Sequence, residues 1–201
     1  MNLNKEISLS EINQAIKVFI YSLELYKEKI NNLNVFPVPD GDTGTNMLLT
    51  IKNVDQDLDS KSDMHSLLTH LREASLMEAR GNSGVILSQF FQGLLTSYES
   101  NECFTISSLV TSFTIAAENT RKSLPNPIDG TMMTVYEEIA SAASKGLSKS
   151  KNLEDLLQII AKGAVLSVKN TPNKLKILRE AGVVDSGGLG LAIMMLSLIH
   201  I

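Results

Sequence analysis

The sequence predicts an all-α fold, and three observations support that prediction. Apolar residues recur at helical spacing along most of the 201-residue chain. Aromatic residues are few, with six Phe, four Tyr and no Trp, whereas a β-sandwich is expected to carry aromatic and β-branched runs. No segment shows the alternation of a strand or the turn signature of a hairpin. We therefore expect about eight or nine helices joined by short connections.

Four helices are expected in the first half of the chain. Ser8 and Glu11 match the capping-box pattern at the start of the first helix, and Asp63 is a suitable N-cap for the third. Between the second and third helices, the acidic and serine-containing residues 55–62 indicate a solvated loop. The expected helices cover approximately residues 8–30, 44–54, 63–80 and 84–98.

Further helices are expected in the second half. Asn152 is a favourable N-cap, and Glu154 and Asp155 place negative charge in the turn that follows it. Pro172 is expected to start a short helix, because proline is tolerated in a first turn but disrupts a helix interior. An apolar helix then follows Gly188. The expected ranges are 105–123, 131–146, 152–169, 172–181 and 188–201.

The composition narrows the functional classes. The formal net charge of −4 does not favour nucleic-acid binding, which usually requires a basic face. The single cysteine, Cys103, excludes a disulfide within the chain and disfavours a cysteine-based metal site. The sequence has no apolar run of about 18 residues and no signal-peptide pattern. We expect a cytoplasmic protein without a membrane span, folded as a single domain over residues 1–201.

Residues 34–46, with the sequence NVFPVPDGDTGTN, place two carboxylates one residue apart. Two prolines stiffen the approach to Asp40, and two glycines allow the backbone to bend sharply around Asp42. Both carboxylates can then face one point, where their mutual repulsion requires a proton or a cation. Mg²⁺ suits such a site because it binds one or two protein carboxylates together with water and phosphate oxygens. The alternative interpretation is an acidic loop with an Asx-turn and a helix cap.

Most glycines of the chain lie in four polar turns, each of which opens a predicted helix. The free N–H groups and the positive dipole end of a helix N-terminus suit phosphate oxygens, and glycine lets a ligand approach the backbone. Because alternate helices of an up-and-down bundle start at the same end, we infer that several of these turns meet around a nucleotide phosphate chain. Otherwise the glycines serve only as parts of helix caps. The turns are residues 40–46, 80–84, 129–131 and 185–190.

These turns do not match the common calcium and nucleotide motifs. The Asp-Gly-Asp turn is not an EF-hand loop, because its sixth position is Thr45 instead of glycine and its twelfth is Ile51 instead of glutamate. The turn at residues 81–84 lacks the Gly-Lys-Ser/Thr end of a Walker A loop. No strand is predicted before residues 185–190, so that turn is not a dinucleotide-binding fingerprint.

Four motifs, in order along nearly the whole chain, resemble a known family. It is the DhaL-like nucleotide-binding domain shared by dihydroxyacetone kinases and bacterial fatty acid kinases, and the resemblance is closest to the N-terminal domain of the fatty acid kinase catalytic subunit. It implies a closed antiparallel barrel of about eight amphipathic helices, with the nucleotide site in the loops at one end. The motifs are PVPDGDTGTN at residues 37–46, ARGNSGVIL at 79–87, DGTM at 129–132 and GVVDSGG at 182–188.

The resemblance also implies roles for residues of this chain. Asp40 and Asp42 match two aspartates that bridge two Mg²⁺ ions to the phosphates of ATP or ADP. Dihydroxyacetone kinases carry a third aspartate where this chain has Val35, and Asn34 can supply an amide oxygen as a metal ligand instead. Arg80 is the candidate catalytic residue that neutralises charge in the transition state, or it serves the dipole of a helix end. The candidate nucleotide-binding residues are Thr43, Thr45, Asn46, Gly81, Asn82, Ser83, Gly84, Gly130, Thr131, Met132, Asp185, Ser186 and Gly187.

The implied reaction is transfer of the γ-phosphate of ATP to an acceptor that a separate partner protein presents. A fatty acid carboxylate on a fatty-acid-binding subunit is the expected acceptor, and dihydroxyacetone is the other candidate. Two further classes stay open, namely a regulatory or coactivator module that binds nucleotide without turnover, and a lipid-binding or scaffold module. Because full fatty acid kinase subunits continue into further domains, we expect this chain to be a fragment that lacks some residues needed for turnover.

Overall fold

The structure is a computed structural model, and it describes residues 5–55, 58–101 and 103–200. Within these residues the protein is all-α, as predicted, and strand pairing is limited to one isolated bridge between Glu6 and Thr105. Short 3₁₀ helices occupy Asn53–Asp55, Leu58–Ser60 and Leu198–His200. The α-helices are α1 (Leu9–Asn31), α2 (Thr43–Lys52), α3 (Met64–Met77), α4 (Gly81–Asn101), α5 (Ile106–Ser123), α6 (Met132–Leu147), α7 (Leu153–Lys174), α8 (Lys176–Ala181) and α9 (Ser186–Ser197).

Seven of these helices close into a ring. In order around it, α1 packs on α2, α2 on α4, α4 on α5, α5 on α6, α6 on α7, α7 on α9, and α9 on α1. Helix α3 lies against α2 and α4, and the short α8 packs against α7. This closure confirms the helical barrel that the resemblance implies.

Helix α9 is apolar on every face and is correspondingly buried. It contacts α1, α2, α6 and α7, and its buried residues include three glycines that let these neighbours approach closely. Aromatic rings fill the core between α1, α4 and α5, where Phe90 lies 6.3 Å from Phe19 and 5.5 Å from Phe113 between ring centroids. In the described part of the chain, no helix combines the length and the apolar character that a membrane crossing needs.

The capping signals that act over a few residues are confirmed. The Ser8 hydroxyl accepts a hydrogen bond from the N–H of Glu11, and the Glu11 carboxylate accepts one from the N–H of Ser8 at 2.8 Å. Asp63 caps α3 and Asn152 caps α7 through their side-chain oxygens. These bonds satisfy N–H groups that a helix start would otherwise leave without partners.

Several predicted boundaries differ from the structure. Helix α4 begins at Gly81, not after Gly84, because the N–H of Gly84 already donates to the carbonyl oxygen of Arg80 at 2.9 Å. Helix α9 begins at Ser186, before the predicted start at Gly188. The predicted loop at 55–62 is not wholly solvated, because Leu58 is buried in a 3₁₀ turn. Residues 56 and 57 of that loop, and residue 201 of the last helix, lie outside the described residues.

The prediction that Pro172 starts a helix is wrong, because α7 continues through it to Lys174. Proline has no N–H for the carbonyl oxygen of Val168, four residues earlier. The Thr171 hydroxyl donates to that oxygen at 2.7 Å and so replaces the missing backbone bond. The next helix, α8, begins only at Lys176, after Leu175 adopts an extended backbone conformation.

Candidate functional site

A pocket of about 390 Å³ opens where four helices begin. Its walls are formed by the first residues of α2, α4, α6 and α9 and by the segments that precede them. The four glycine-containing turns therefore meet at one end of the barrel, as the alternation of helix directions predicts. The predicted site residues that line the pocket are Asn34, Asp40, Asp42, Thr43, Asn46, Gly81, Asn82, Ser83, Thr131, Met132, Asp185, Ser186 and Gly187.

The predicted catalytic residue is not brought to this pocket. Arg80 is absent from the pocket lining, and its side chain is 56% exposed. Its guanidinium pairs with the carboxylate of Glu78 at 3.6 Å. In this conformation Arg80 lies just before α4 and contributes its carbonyl oxygen to the helix start, while its charge faces a surface glutamate.

Two glycines predicted to bind nucleotide also lie outside the lining, and both make room for a neighbouring segment of the chain. A Cβ at Gly84 would lie 2.4 Å from the hydroxyl oxygen of Thr50, where α4 crosses α2. Gly130 has a φ of +83°, and a Cβ there would lie 2.9 Å from the backbone nitrogen of Leu175. Packing within the chain is sufficient to explain both glycines.

The start of α2 is capped from another helix. Asp42 occupies the N-cap position, but its side chain makes no capping hydrogen bond. Instead, the side-chain oxygen of Asn31, at the end of α1, accepts from the N–H groups of Gly44 and Thr45 at 2.8 and 3.1 Å. The Asp42 side chain therefore does not cap α2.

The Asn31 amide also explains why the predicted binding residue Thr45 is absent from the pocket. The amide nitrogen of Asn31 donates to the Thr45 hydroxyl at 3.0 Å, which ties that side chain to the end of α1. Asn31 was not recognised from the sequence because it lies 13 and 14 positions before the groups that it caps. No pattern of neighbouring residues marks a cap of that kind.

Asp40, the other paired carboxylate, is held by Asn34. The Asn34 amide nitrogen donates to Asp40 Oδ1 at 2.5 Å and to the carbonyl oxygen of Val38 at 3.3 Å. The nitrogen of Asn34, and not the oxygen predicted as a metal ligand, therefore faces Asp40. Among the described residues, no group of three or more His, Cys, Asp and Glu side chains is placed to hold a metal ion. Asp40 and Asp42 therefore have no third side chain of these types beside them as a metal ligand.

Asp185 lies between the starts of α6 and α9. Its buried carboxylate accepts from the N–H of Gly188 at 2.7 Å, and the backbone N–H of Met132 is close enough to lower its pKa. Burial raises the pKa of Asp185 from an ordinary 3.8 to about 6, and the two N–H groups oppose that rise. The N–H of Asp185 itself donates to the Thr171 hydroxyl at 3.0 Å. Asp185 thus fixes the start of α9 relative to α7.

The pocket also has an apolar wall, which was not predicted from the sequence. Part of it immediately precedes the paired aspartates, Ile86 comes from α4, and part precedes the Asp-Gly turn of α6. The residues before the paired aspartates could have been predicted from their place beside the motif. The residues before the Asp-Gly turn could be placed at the pocket only from the folded structure. The additional lining residues are Phe36, Pro37, Val38, Ile86, Leu124, Asn126 and Ile128.

The pocket therefore offers three kinds of interaction in one place. The N-termini of four helices provide positive dipole ends for an anion, although some of their N–H groups already donate to Asn31 in α2 and to Asp185 in α9. The Asp40 and Asp42 carboxylates provide oxygen ligands for a hard cation such as Mg²⁺. The apolar wall provides a surface for a flat, weakly polar group. A ligand with an anionic part, a bound cation and an apolar ring would use all three.

Comparison with known proteins finds a matching family model and relatives that are similar in sequence. A family model described as the DAK2 domain matches residues 37–200. A protein of Staphylococcus saprophyticus described as uncharacterized is 39% identical over 175 residues, which are 86% of this chain and 32% of that protein. An uncharacterized protein of Staphylococcus aureus strain USA300 is 41% identical over 164 residues, 81% of this chain and 30% of that protein. The chain thus spans about a third of the length of these curated relatives.

Solved structures with the same fold come from the dihydroxyacetone kinase of C. freundii. The crystal structure of that kinase in complex with AMP-PNP and Mg²⁺ matches with a TM-score of 0.73 and 19% identity, over 98% of this chain and 35% of that one. Its native form matches with a TM-score of 0.73 and 18% identity, over the same shares of the two chains. At this level of identity the similarity establishes the fold.

Proposed function

The chain belongs to the DAK2 domain family, and from that membership and the geometry of the pocket we propose that it is the nucleotide-binding domain of a kinase. The nucleotide is ATP or ADP with Mg²⁺, and it lies in the pocket at the starts of α2, α4, α6 and α9. Residues 1–201 form one domain in this proposal. The match in fold to a dihydroxyacetone kinase crystallised with AMP-PNP and Mg²⁺ supports this ligand class.

The observation that carries the proposal is the convergence of four helix N-termini on a pocket that also contains Asp40 and Asp42. A single helix start needs only a cap, but four starts directed at one cavity create a site for a polyanion. The carboxylate of Asp42 is not consumed by capping, so it is available to a cation. A volume of about 390 Å³ lies within the range of small-molecule sites.

The residues divide into three groups in this proposal. Asp40 and Asp42 hold Mg²⁺, which when bound neutralises phosphate charge, and two ions are proposed from the resemblance. Polar residues at the helix starts donate to phosphate oxygens. Met132, the backbone of residues 185–187 and the apolar wall border the adenine. The proposed phosphate-binding side chains are Thr43, Asn46, Asn82, Ser83 and Thr131.

The proposed reaction is phosphoryl transfer to an acceptor on a partner protein. An acceptor oxygen forms a bond to the γ-phosphorus while the bond to the bridging oxygen breaks, and ADP leaves. A fatty acid carboxylate is the favoured acceptor, with dihydroxyacetone as the other candidate. The described lining of the pocket contains no histidine or lysine, and Asp185 is its candidate base besides the paired aspartates. A carboxylate, which is already ionised near neutral pH, needs no general base, whereas a hydroxyl acceptor must lose a proton.

A regulatory module that binds nucleotide without turnover is a second candidate. The position of Arg80 favours it, because the predicted catalytic guanidinium pairs with Glu78 outside the pocket. Phosphoryl-transfer assays with a fatty-acid-carrying partner distinguish the two candidates. If the Arg80→Ala variant transfers phosphate as fast as the wild type, Arg80 takes no part in the reaction, and the chain can still be a kinase. Nucleotide binding with no transfer to any acceptor would support the regulatory module.

Lipid binding is a third candidate, favoured by a second cavity of about 560 Å³. Its walls come from α1, α4, α5 and α7 and from the turn after α9, so it lies at the opposite end of α9 from the first pocket. The lining is mostly apolar, with Phe19, Phe90 and Phe113 among it, and Lys5 and Glu11 add charge. A fluorescent fatty acid that binds in the absence of nucleotide, with no response of the protein to Mg²⁺ and ATP, would favour this candidate.

Calorimetric titration with AMP-PNP tests the main proposal. We expect binding in the presence of Mg²⁺ and much weaker binding in EDTA, because the phosphates then face Asp40 and Asp42 without a cation. At a ligand concentration 100-fold above Kd, the free energy of unfolding should rise by about 2.7 kcal/mol. Inorganic triphosphate with Mg²⁺ is a control that lacks the base and should bind more weakly. Equal affinity with and without Mg²⁺ would contradict a carboxylate-held metal, and no binding in either case would reject the nucleotide pocket.

A further inference from the structure

We propose that Asn31 is a positioning residue that keeps the carboxylate of Asp42 free for the metal, an inference that rests on the proposed function of the pocket. An N-cap side chain normally accepts from the N–H groups at the second and third helical positions. In α2 these positions are Gly44 and Thr45, and both N–H groups donate to Asn31 Oδ1. Asp42 is in the N-cap position but makes no such bond.

The contact depends on a close approach between the end of α1 and the start of α2. A Cβ at Gly44 would lie 2.5 Å from the carbonyl oxygen of Lys27 and 3.0 Å from Asn31 Oδ1. Glycine is the residue that permits this approach. The Asn31 nitrogen donates to the Thr45 hydroxyl at 3.0 Å, so both ends of the amide are engaged and its oxygen is directed at the helix start.

The chemistry of the cap also suits its neighbourhood. A neutral amide satisfies the two N–H groups without placing a third negative charge beside Asp40 and Asp42. If the Asn31 oxygen is removed, the Asp42 carboxylate is the acceptor already in the N-cap position. Bonding to the N–H groups of Gly44 and Thr45 would then turn this carboxylate toward the helix and away from a cation in the pocket.

A thermal-unfolding cycle without nucleotide tests the capping relationship. The proteins compared are the wild type, Asn31→Ala, Asp42→Ala and the double variant. We expect Asp42→Ala to lower the unfolding temperature more in the Asn31→Ala background than in the wild type, by roughly 2–4 °C, because Asp42 has become the cap there. The same shift in both backgrounds would overturn the proposal.

Calorimetry with AMP-PNP on the same four proteins tests the consequence for the metal. We expect Asn31→Ala to weaken binding about tenfold with Mg²⁺ and to leave binding in EDTA unchanged. In the Asp42→Ala background, Asn31→Ala should have no further effect. Equal losses with Mg²⁺ and with EDTA would overturn the positioning role. A wild-type protein that binds no nucleotide would reject the proposed function, and the unfolding cycle would still decide whether Asn31 replaces Asp42 as the cap.

Discussion

The hydroxyl of Ser186 donates a hydrogen bond to the hydroxyl oxygen of Thr43 at 3.2 Å, across 143 positions of sequence. Ser186 is the first residue of α9 and Thr43 is the first residue of α2. Both residues are buried, and both line the pocket. The bond therefore fixes two of the four helix starts to each other at the site proposed for phosphate.

We expect Ser186→Ala to lower the free energy of unfolding by about 1 kcal/mol, because the buried Thr43 oxygen loses its donor. Thr43→Val should cost a similar amount, since it removes the acceptor and leaves the Ser186 hydroxyl without a partner. Chemical denaturation measures both variants and the double variant. The double variant should cost less than the sum of the single variants, whereas fully additive costs would show that the two hydroxyls are not coupled.

Asp42→Asn is expected to weaken Mg²⁺-dependent nucleotide binding by more than about tenfold while the fold survives. The variant loses a charged ligand, but α2 keeps its cap because Asn31 provides it. In the absence of metal the free energy of unfolding should stay constant or rise, since two neighbouring anions no longer repel. Calorimetry with Mg²⁺ and with EDTA, together with circular-dichroism melting, measures these quantities.

Asp40→Asn is the matched variant for that experiment. Its side-chain oxygen can still accept the hydrogen bond from Asn34, so the turn should persist while the second carboxylate is removed. We expect the same loss of Mg²⁺-dependent affinity. If either variant binds nucleotide as the wild type does while its melting temperature falls, the two aspartates support the turn and do not hold a metal.

The helices and their caps were largely predictable because the interactions that define them act over a few residues. Each cap involves positions within one helical turn, and its residue types predict it. This holds for the bonds between Ser8 and Glu11 and for the caps at Asp63 and Asn152. The cap provided by Asn31 was not predictable, because it requires α1 and α2 to be packed together first. The same is true of Thr171, whose hydroxyl allows α7 to pass through a proline.

The location of the site was predictable from helix direction, but the part played by each glycine was not. Gly81 lines the pocket with a φ of +58°, whereas Gly84, three residues later, faces the Thr50 hydroxyl in a contact between helices. A glycine that lines a pocket and a glycine that admits a neighbouring helix have the same appearance in sequence. The binding roles of the residues that do line the pocket stay predictions until nucleotide binding is measured.

The ionisation of Asp185 should make the stability of the protein depend on pH. Its pKa in the folded state is about 6 and its ordinary value is 3.8, so the folded protein holds this proton more tightly than the unfolded chain. Proton binding by Asp185 therefore stabilises the folded state fully below pH 3.8, and this contribution is lost as pH rises through 6. The contribution is about 3 kcal/mol at most. Asp185→Asn cannot ionise, and its side-chain oxygen can still accept from the N–H of Gly188.

We therefore expect Asp185→Asn to be more stable than the wild type at pH 7, with an advantage that shrinks as pH falls from 6 to 4. Chemical denaturation across that range measures it. Comparing the two proteins cancels the opposite contributions of groups such as Glu11, whose pKa is lowered chiefly by the N–H of Ser8. Parallel pH dependences for the two proteins would show that Asp185 does not ionise differently in the folded and unfolded states.

Thr171→Val is expected to lower the free energy of unfolding by about 2 kcal/mol or more, because it leaves two buried backbone groups without partners. The Thr171 hydroxyl donates to the carbonyl oxygen of Val168 at 2.7 Å and accepts from the N–H of Asp185 at 3.0 Å. Thr171 is fully buried, so water cannot replace either bond. Thr171→Ser is the control that keeps the hydroxyl and should be much less destabilising in chemical denaturation.

Pro172→Ala separates the two bonds that Thr171 makes. Alanine restores an N–H at position 172, which can donate to the carbonyl oxygen of Val168 as in an uninterrupted helix. In that background Thr171→Val leaves only the N–H of Asp185 without a partner, so its cost should fall by about 1 kcal/mol. An unchanged cost would mean that the hydroxyl does not replace the bond that proline removes. If Thr171→Ser is as destabilising as Thr171→Val, the packing of the methyl group contributes as much to stability as the two hydrogen bonds of the hydroxyl.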